Sequence, residues 1–195
     1  MPLFSSGFEN IVFVSTVGLW VFSELVGGGI IPRRQRKGNV VTVKDNGSNL
    51  VLRVSLYVSI IIAFFLALKT TAMLPHGFFY PGIVLMVIGI IVRQWAIFTL
   101  GRFFTLTVGI QKNQKVVDSG PYRFIRHPSY LGLFITLLGI GVALQSWAGI
   151  LAIVVISGLG IGYRIHIEEK VMVSEFGDDY VQYMKRTKRL IPFVV

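Results

Sequence analysis

Long apolar runs separated by short polar stretches dominate the chain. Ile11–Ile31 is apolar apart from Glu24, Leu50–Ala72 carries Arg53 and Lys69 near its ends, and Phe78–Gly101 contains Arg93. A fourth run, Ser129 to Tyr163, holds no charge. It is too long for one crossing and predicts a helical hairpin turning near Gln145, Ser146 and Trp147. A helix needs about 20 mostly apolar residues to cross the hydrocarbon core. The pattern therefore predicts an all-α, polytopic integral membrane protein with five transmembrane helices, forming one membrane-embedded domain over 1–195. Pro128 fits the first position of the fourth helix with His127 as its cap. Gly177 is expected to break the helix that leaves the hairpin, and Asp178 or Asp179 to cap a further short one.

Composition narrows the class. Of 195 residues, 53% are hydrophobic and 14% charged, against roughly 25% charged in a soluble domain. Mean hydropathy is +0.70. So much apolar surface does not fit inside one core of this size, which excludes a disordered chain and a water-soluble globule. The absence of cysteine excludes disulfides, thiolate metal sites and cysteine nucleophiles. His76, His127 and His166 are scattered, so no metal centre is expected. No nucleophile elbow or Walker loop occurs. Gly139, Gly141, Gly158, Gly160 and Gly162 follow no strand and suit close helix packing rather than a dinucleotide fingerprint.

The net charge of +10 would suggest nucleic acid in a soluble protein. In this apolar setting no nucleic-acid partner is expected, and anionic membrane lipids take its place. Lysine and arginine are absent from 1–10, 73–77 and 145–147. Five fall in 32–49 (Arg33, Arg34, Arg36, Lys37, Lys44), five in 102–128, and six from Arg164 onward. This alternation agrees with five spans and predicts an outside N-terminus and a cytoplasmic C-terminus. Met1–Asn10 lacks the basic start and cleavage site of a signal peptide. The isolated charges Glu24 and Arg93 are read as partners of each other or of backbone, with a transport path as the alternative.

Two polar stretches flank the hairpin: Gly120-Pro121-Tyr122-Arg123-Phe124-Ile125-Arg126-His127-Pro128-Ser129-Tyr130-Leu131-Gly132 and Arg164-Ile165-His166-Ile167-Glu168-Glu169. Topology alone brings them side by side at the cytoplasmic surface. None of the cytoplasmic pieces is long enough to fold alone, so an active site has to form where they meet the membrane helices. Arg126, His127 and the start of the fourth helix offer a seat for an anion. Arg164 and Glu168 share a helix face, with Glu169 beside them. Together the two stretches could hold a zwitterion. The plainer readings are an interfacial belt and an i,i+4 ion pair. Tyr180, Tyr183 and Met184 with Lys185, Arg186, Lys188 and Arg189 suit a basic amphipathic helix on the membrane surface, stopped by Pro192, or a lid over the site.

The order Gly-Pro-Tyr-x-x-x-Arg-His-Pro-Ser-Tyr-Leu-Gly at 120–132, Arg-x-x-x-Glu-Glu at 164–169 and Phe-Gly-x-x-Tyr-x-x-Tyr at 176–183 resembles the isoprenylcysteine carboxyl methyltransferase family, within a wider phospholipid methyltransferase-like superfamily. The resemblance covers 101–193 and looks like a compact prokaryotic-type member. It leaves the two N-terminal spans, 11–72, without a role. It implies S-adenosylmethionine as methyl donor, S-adenosylhomocysteine as product, and a prenylated or lipid-like acceptor entering between helices. Carried over to this sequence, it implies that Gln111, Arg126, His127, Tyr130, Leu131 and Glu169 bind the cofactor. It places Arg164 and Glu168 at the methyl-transfer centre, the guanidinium holding the acceptor carboxylate and Glu168 orienting the guanidinium. The alternatives are a phospholipid-amine or hydrophobic-thiol methyltransferase, a nicotinamide-dependent membrane reductase, and a small membrane binding or transport protein. Oligomeric state is not legible.

Overall fold

The computed structural model describes residues 6–30, 40–43, 45–69 and 73–190, with the backbone alone at 28–30 and 40–43. The basic cluster Arg33, Arg34, Arg36, Lys37 and Lys44, the stop at Pro192, and the predicted bounds at Ile31, Ala72 and Phe193 lie outside the described residues.

Helix α1, Gly7–Ser23, begins at Ser6, whose hydroxyl accepts the Glu9 N–H at 3.2 Å. It continues as a wider π-helical turn over Glu24–Ile30. Helix α2 is Ser48–Lys69, α3 Phe79–Leu100, α4 Pro128–Ala143, α5 Trp147–Phe176 and α6 Asp178–Arg186. The hairpin turn falls at 144–146, where Gln145 adopts φ +56° and Ser146 caps α5 by accepting the Gly149 N–H at 3.1 Å.

Among the described residues, four helices are long and apolar enough to cross a bilayer: Gly7–Gly27, Ser48–Lys69, His76–Phe103 and Trp147–Phe176. The predicted fourth crossing is a shorter helix of 16 residues. At 1.5 Å per residue it covers about 24 Å, less than the roughly 30 Å hydrocarbon thickness. Large apolar side chains such as Ile61, Ile91 and Leu159 are more than 60% exposed, as expected where lipid replaces water as solvent.

The all-α expectation needs one amendment. Val40–Val43 and Gly109–Gln111 pair as a small antiparallel ribbon, β1 and β2. Hydropathy reads both only as loop, because three- and four-residue strands carry too little pattern to register.

The five longest helices alternate in direction between two ends. Glu9 meets His76 at one end, while Glu24 meets Arg93 and Ser48 meets Arg164 toward the other. His127 therefore lies about one helix length from His76. The tightest contact is between α3 and α4, where glycines seven residues apart on each helix face each other. A Cβ on Gly139 would lie 2.6 Å from the Met86 nitrogen and 2.7 Å from the Gly82 carbonyl, neither of which can rotate away. Gly139→Val is expected to lower stability by about 1–3 kcal/mol, read as a lower thermal midpoint in detergent. Gly158→Val, with nothing within 4 Å of its Cβ position, should melt like the unsubstituted protein. Of the other glycines read as packing residues, Gly141 and Gly160 also approach neighbours, whereas Gly162 faces open space.

Gly177 ends α5 with φ +52°, its N–H reaching the Val173 carbonyl at 3.0 Å. The expected aspartate cap of α6 does not form: Gly177 itself is the cap, and Asp178 and Asp179 lie in the first turn. There their charge complements the helix dipole.

Candidate active site

Three layers build the site, starting from Asp45. It precedes α2 and accepts the Asn49 N–H at 3.1 Å and the Ser48 hydroxyl at 3.2 Å, so it caps that helix. It also accepts the Val108 N–H at 3.0 Å, which ties the 102–111 loop to α2. Burial opposes ionisation of this carboxyl, but the Val108 and Asn49 N–H groups and the Arg164 guanidinium outweigh it and hold its pKa below the usual value.

Arg164 is the hub of the second layer and is only 2% exposed. Its guanidinium pairs with Asp45 and donates to the Ser48 hydroxyl at 2.7 Å, the Leu106 carbonyl at 2.9 Å and the Tyr130 hydroxyl at 3.0 Å. Tyr130 donates onward to Glu168 at 2.7 Å. One buried cation thus joins α2, the 102–111 loop, α4 and α5. Glu168 does not orient the guanidinium directly. Tyr130 stands between the two, because its ring projects from the first turn of α4 across to α5.

The third layer fixes the entrance to α4. The backbone N–H groups of Arg126 and His127 donate to the carbonyls of Lys188 and Arg189 at 2.7 and 3.0 Å. Glu169, 5% exposed, accepts from Arg126 at 2.8 Å, His127 at 3.3 Å and Arg189 at 3.0 Å. Arg126 also donates to the Met184 carbonyl at 3.1 Å and to the Thr187 carbonyl. The N-terminus of α4 is less open to an anion than the sequence suggests. Pro128 has no N–H, and those of Tyr130 and Leu131 both return to the His127 carbonyl at 3.1 Å.

Two cavities meet at these layers. The first, about 770 Å³ and partly open to solvent, is lined by Tyr122, His127, Tyr130, Glu168, Tyr180 and Tyr183, with the irregular chain 114–117 along one side. Helix α6 turns Tyr180 and Tyr183 inward, 5% and 3% exposed, and the Tyr183 hydroxyl donates to the Tyr122 carbonyl at 2.7 Å. Of the two readings of this helix, membrane-surface anchor or cover over the site, its tyrosines fit the second: they form a wall of this cleft. Burial raises the pKa of both phenols, so they stay neutral.

The second cavity is larger, about 1640 Å³ including open space, and mostly apolar. A stripe of α2 (Leu52, Leu56, Tyr57, Ile60) faces Trp20, Val21 and Leu25 across it. Glu24 and Arg93 form part of its wall and pair with each other, the guanidinium also donating to the Ser129 hydroxyl at 2.8 Å. Phe104, Thr105, Ser129 and Tyr130 line both cavities.

The chain that builds this cleft and the apolar cavity beside it is similar to known proteins. Residues 82–174 match the family model described as the isoprenylcysteine carboxyl methyltransferase (ICMT) family. That match takes in just under half of the chain. It is 29% identical over 168 residues to protein-S-isoprenylcysteine O-methyltransferase B of Arabidopsis thaliana, covering 80% of this chain and 85% of that one. It is 28% identical to the protein-S-isoprenylcysteine O-methyltransferase of Tribolium castaneum, covering 93% of this chain and 65% of the relative. The solved structure of the eukaryotic intramembrane Ras methyltransferase ICMT superposes with a TM-score of 0.67 at 28% identity, over 95% of this chain and 68% of that one.

Within this methyltransferase-family region, the residues singled out from sequence divide by position. Arg126, His127, Tyr130 and Glu168 line the cleft. Arg164 and Glu169 lie behind it, Arg164 bonded to Tyr130 and Glu169 to Arg126 and His127. Leu131 lines neither cavity. Gln111 is also set back, with its amide donating to the Arg102 carbonyl at 2.5 Å and its backbone N–H to the Gln114 side chain at 2.9 Å. Gln114 takes its place at the cleft. Sequence reading takes Lys44-Asp45-Asn46-Gly47-Ser48-Asn49 as a turn ahead of the second span and misses the pairing of Asp45 with Arg164. The available signal was that Asp45 is the only acid among the five cations of 32–49.

Proposed function

We propose that the protein is an integral-membrane methyltransferase that moves a methyl group from S-adenosylmethionine to the carboxylate of an isoprenylated cysteine. The observation that carries this reading is the wall shared by the two cavities. A water-soluble donor and a greasy acceptor approach from different phases, and their reacting atoms have to meet where those phases adjoin.

The cleft suits the donor. Aromatic walls suit a purine and a sulfonium cation. Glu168 presents a carboxylate whose Oε2 is bonded by Tyr130, leaving charge to face an ammonium or sulfonium. When bound, S-adenosylmethionine supplies an electrophilic methyl group on a positively charged sulfur. His127 and Tyr130 position the donor, and Tyr180 and Tyr183 exclude water from it. Arg164 holds Tyr130, and Glu169 holds Arg126 and His127.

Little further chemistry is required of the protein. A carboxylate acceptor is ionised at neutral pH and needs no general base, so fixing the two reactants in line supplies much of the acceleration. The prenyl chain would occupy the apolar cavity between α1 and α2, which gives the two N-terminal helices a role within a single membrane-embedded unit. Five crossings, with the site at the cytoplasmic face, are the topology favoured by the lysine and arginine alternation.

The test is transfer of isotopic methyl from S-adenosylmethionine to three acceptors in detergent: an S-farnesylated N-acylcysteine, phosphatidylethanolamine and a long-chain thiol. Transfer to the farnesylcysteine as a base-labile ester is the expected result. Exclusive labelling of the amine or thiol, or no saturable S-adenosylhomocysteine binding, overturns the reading.

A further inference from the structure

Three guanidinium groups line the apolar cavity or bond its wall at Leu106 and Tyr130, and two are already neutralised. Arg164 pairs with Asp45 and makes three more hydrogen bonds. Arg93 is held by both oxygens of Glu24 and by Ser129. A cation whose charge and donors are already spent has little to offer an incoming carboxylate.

Arg53 differs from both. It lies on the second turn of α2, on the stripe that lines the apolar cavity, together with Asn49 and Leu52. Its Nε donates to the neutral Asn49 side chain at 3.2 Å, and among the described residues no acid pairs with it. The two terminal nitrogens of its guanidinium remain for a ligand. Its helix end is fixed relative to the site, because Ser48 and Asp45, just ahead of it, bind Arg164, which binds Tyr130.

We propose that Arg53 is the residue that recognises the acceptor's carboxylate, taking it at the mouth of the apolar cavity and guiding it to the shared wall at Ser129 and Tyr130. This rests on the acceptor being the isoprenylated carboxylate named above. A carboxylate drawn into an apolar cavity loses hydration and needs a cationic partner. A guanidinium matches its two oxygens with two parallel N–H donors. The assignment also gives α2, outside the matched family region at 82–174, a part in specificity.

The experiment uses the full-length protein in detergent, an S-farnesylated N-acylcysteine as acceptor, and its carboxamide as a competing ligand that has the same tail and no charge. Arg53→Gln is expected to raise KM for the acid about 10- to 100-fold, the range for a hydrogen-bonded charge. The inhibition constant of the carboxamide and the affinity for S-adenosylhomocysteine should stay within about twofold, the latter also reporting an intact fold. Arg53→Lys should recover part of the loss. If KM moves less than twofold, or if acid and carboxamide weaken equally, Arg53 serves lipid contact or packing and the assignment falls. If the unsubstituted protein does not methylate the acid at all, the reading of the activity fails, and this assignment fails with it.

Discussion

Arg164→Ala is expected to cost about 3–5 kcal/mol of stability as well as activity. That is the range for removing one partner of a buried ion pair, and the pair here anchors four segments. Without the guanidinium, Asp45 keeps its charge with a lost partner, while Ser48, the Leu106 carbonyl and Tyr130 each lose a donor. The motif read alone gives Arg164 a contact with substrate, which would leave cofactor affinity nearly unchanged. Buried and bonded to Tyr130, the guanidinium is expected to act by positioning, so cofactor affinity should fall together with the thermal midpoint. Replacing both partners, Arg164→Met with Asp45→Asn, should recover part of the stability, since the amide removes the unpaired charge and keeps an oxygen to accept a backbone N–H. It should not recover turnover, because Tyr130 stays unheld. Thermal unfolding in detergent, with S-adenosylhomocysteine titration, measures both. An Arg164→Ala protein that melts normally and binds cofactor normally would return the guanidinium to the substrate.

Glu168→Gln should weaken S-adenosylmethionine binding by about 10- to 100-fold, from the loss of a hydrogen-bonded charge facing a cationic ligand. The amide keeps an oxygen to accept the Tyr130 hydroxyl, so the fold and the Arg164 hub should persist. Titration calorimetry of the purified protein reads the change directly. Unchanged affinity with abolished turnover would instead give Glu168 a proton to remove, as an amine or thiol acceptor requires and a carboxylate does not.

The short segments explain what sequence reading reached and what it missed. Helices α1, α2, α3 and α5 are legible because a run of about 20 apolar residues has few alternatives in a bilayer, where every backbone group has to be bonded internally. The start of α4 at Pro128 and the break at Gly177 are legible for a similar reason, since proline and glycine constrain the backbone locally. Nearness of 120–132 to 164–169 followed from the hairpin alone. The Asp45–Arg164 pair and the β1–β2 ribbon were not legible, because each joins segments more than 60 residues apart.

Sequence by itself determined a membrane-embedded helical protein whose polar motifs meet at one end of a hairpin. The resemblance to a methyltransferase family followed from the residues in those motifs. Tertiary structure decided which polar groups are spent and which are available. Arg126, Arg164 and Glu169 have their charges met by neighbours inside the fold, whereas Glu168 and Arg53 keep donors or acceptors facing a cavity. A one-dimensional motif records that a charge is present. Whether it is already neutralised depends on distances of about 3 Å between segments far apart in the chain, which exist only once the helices have packed.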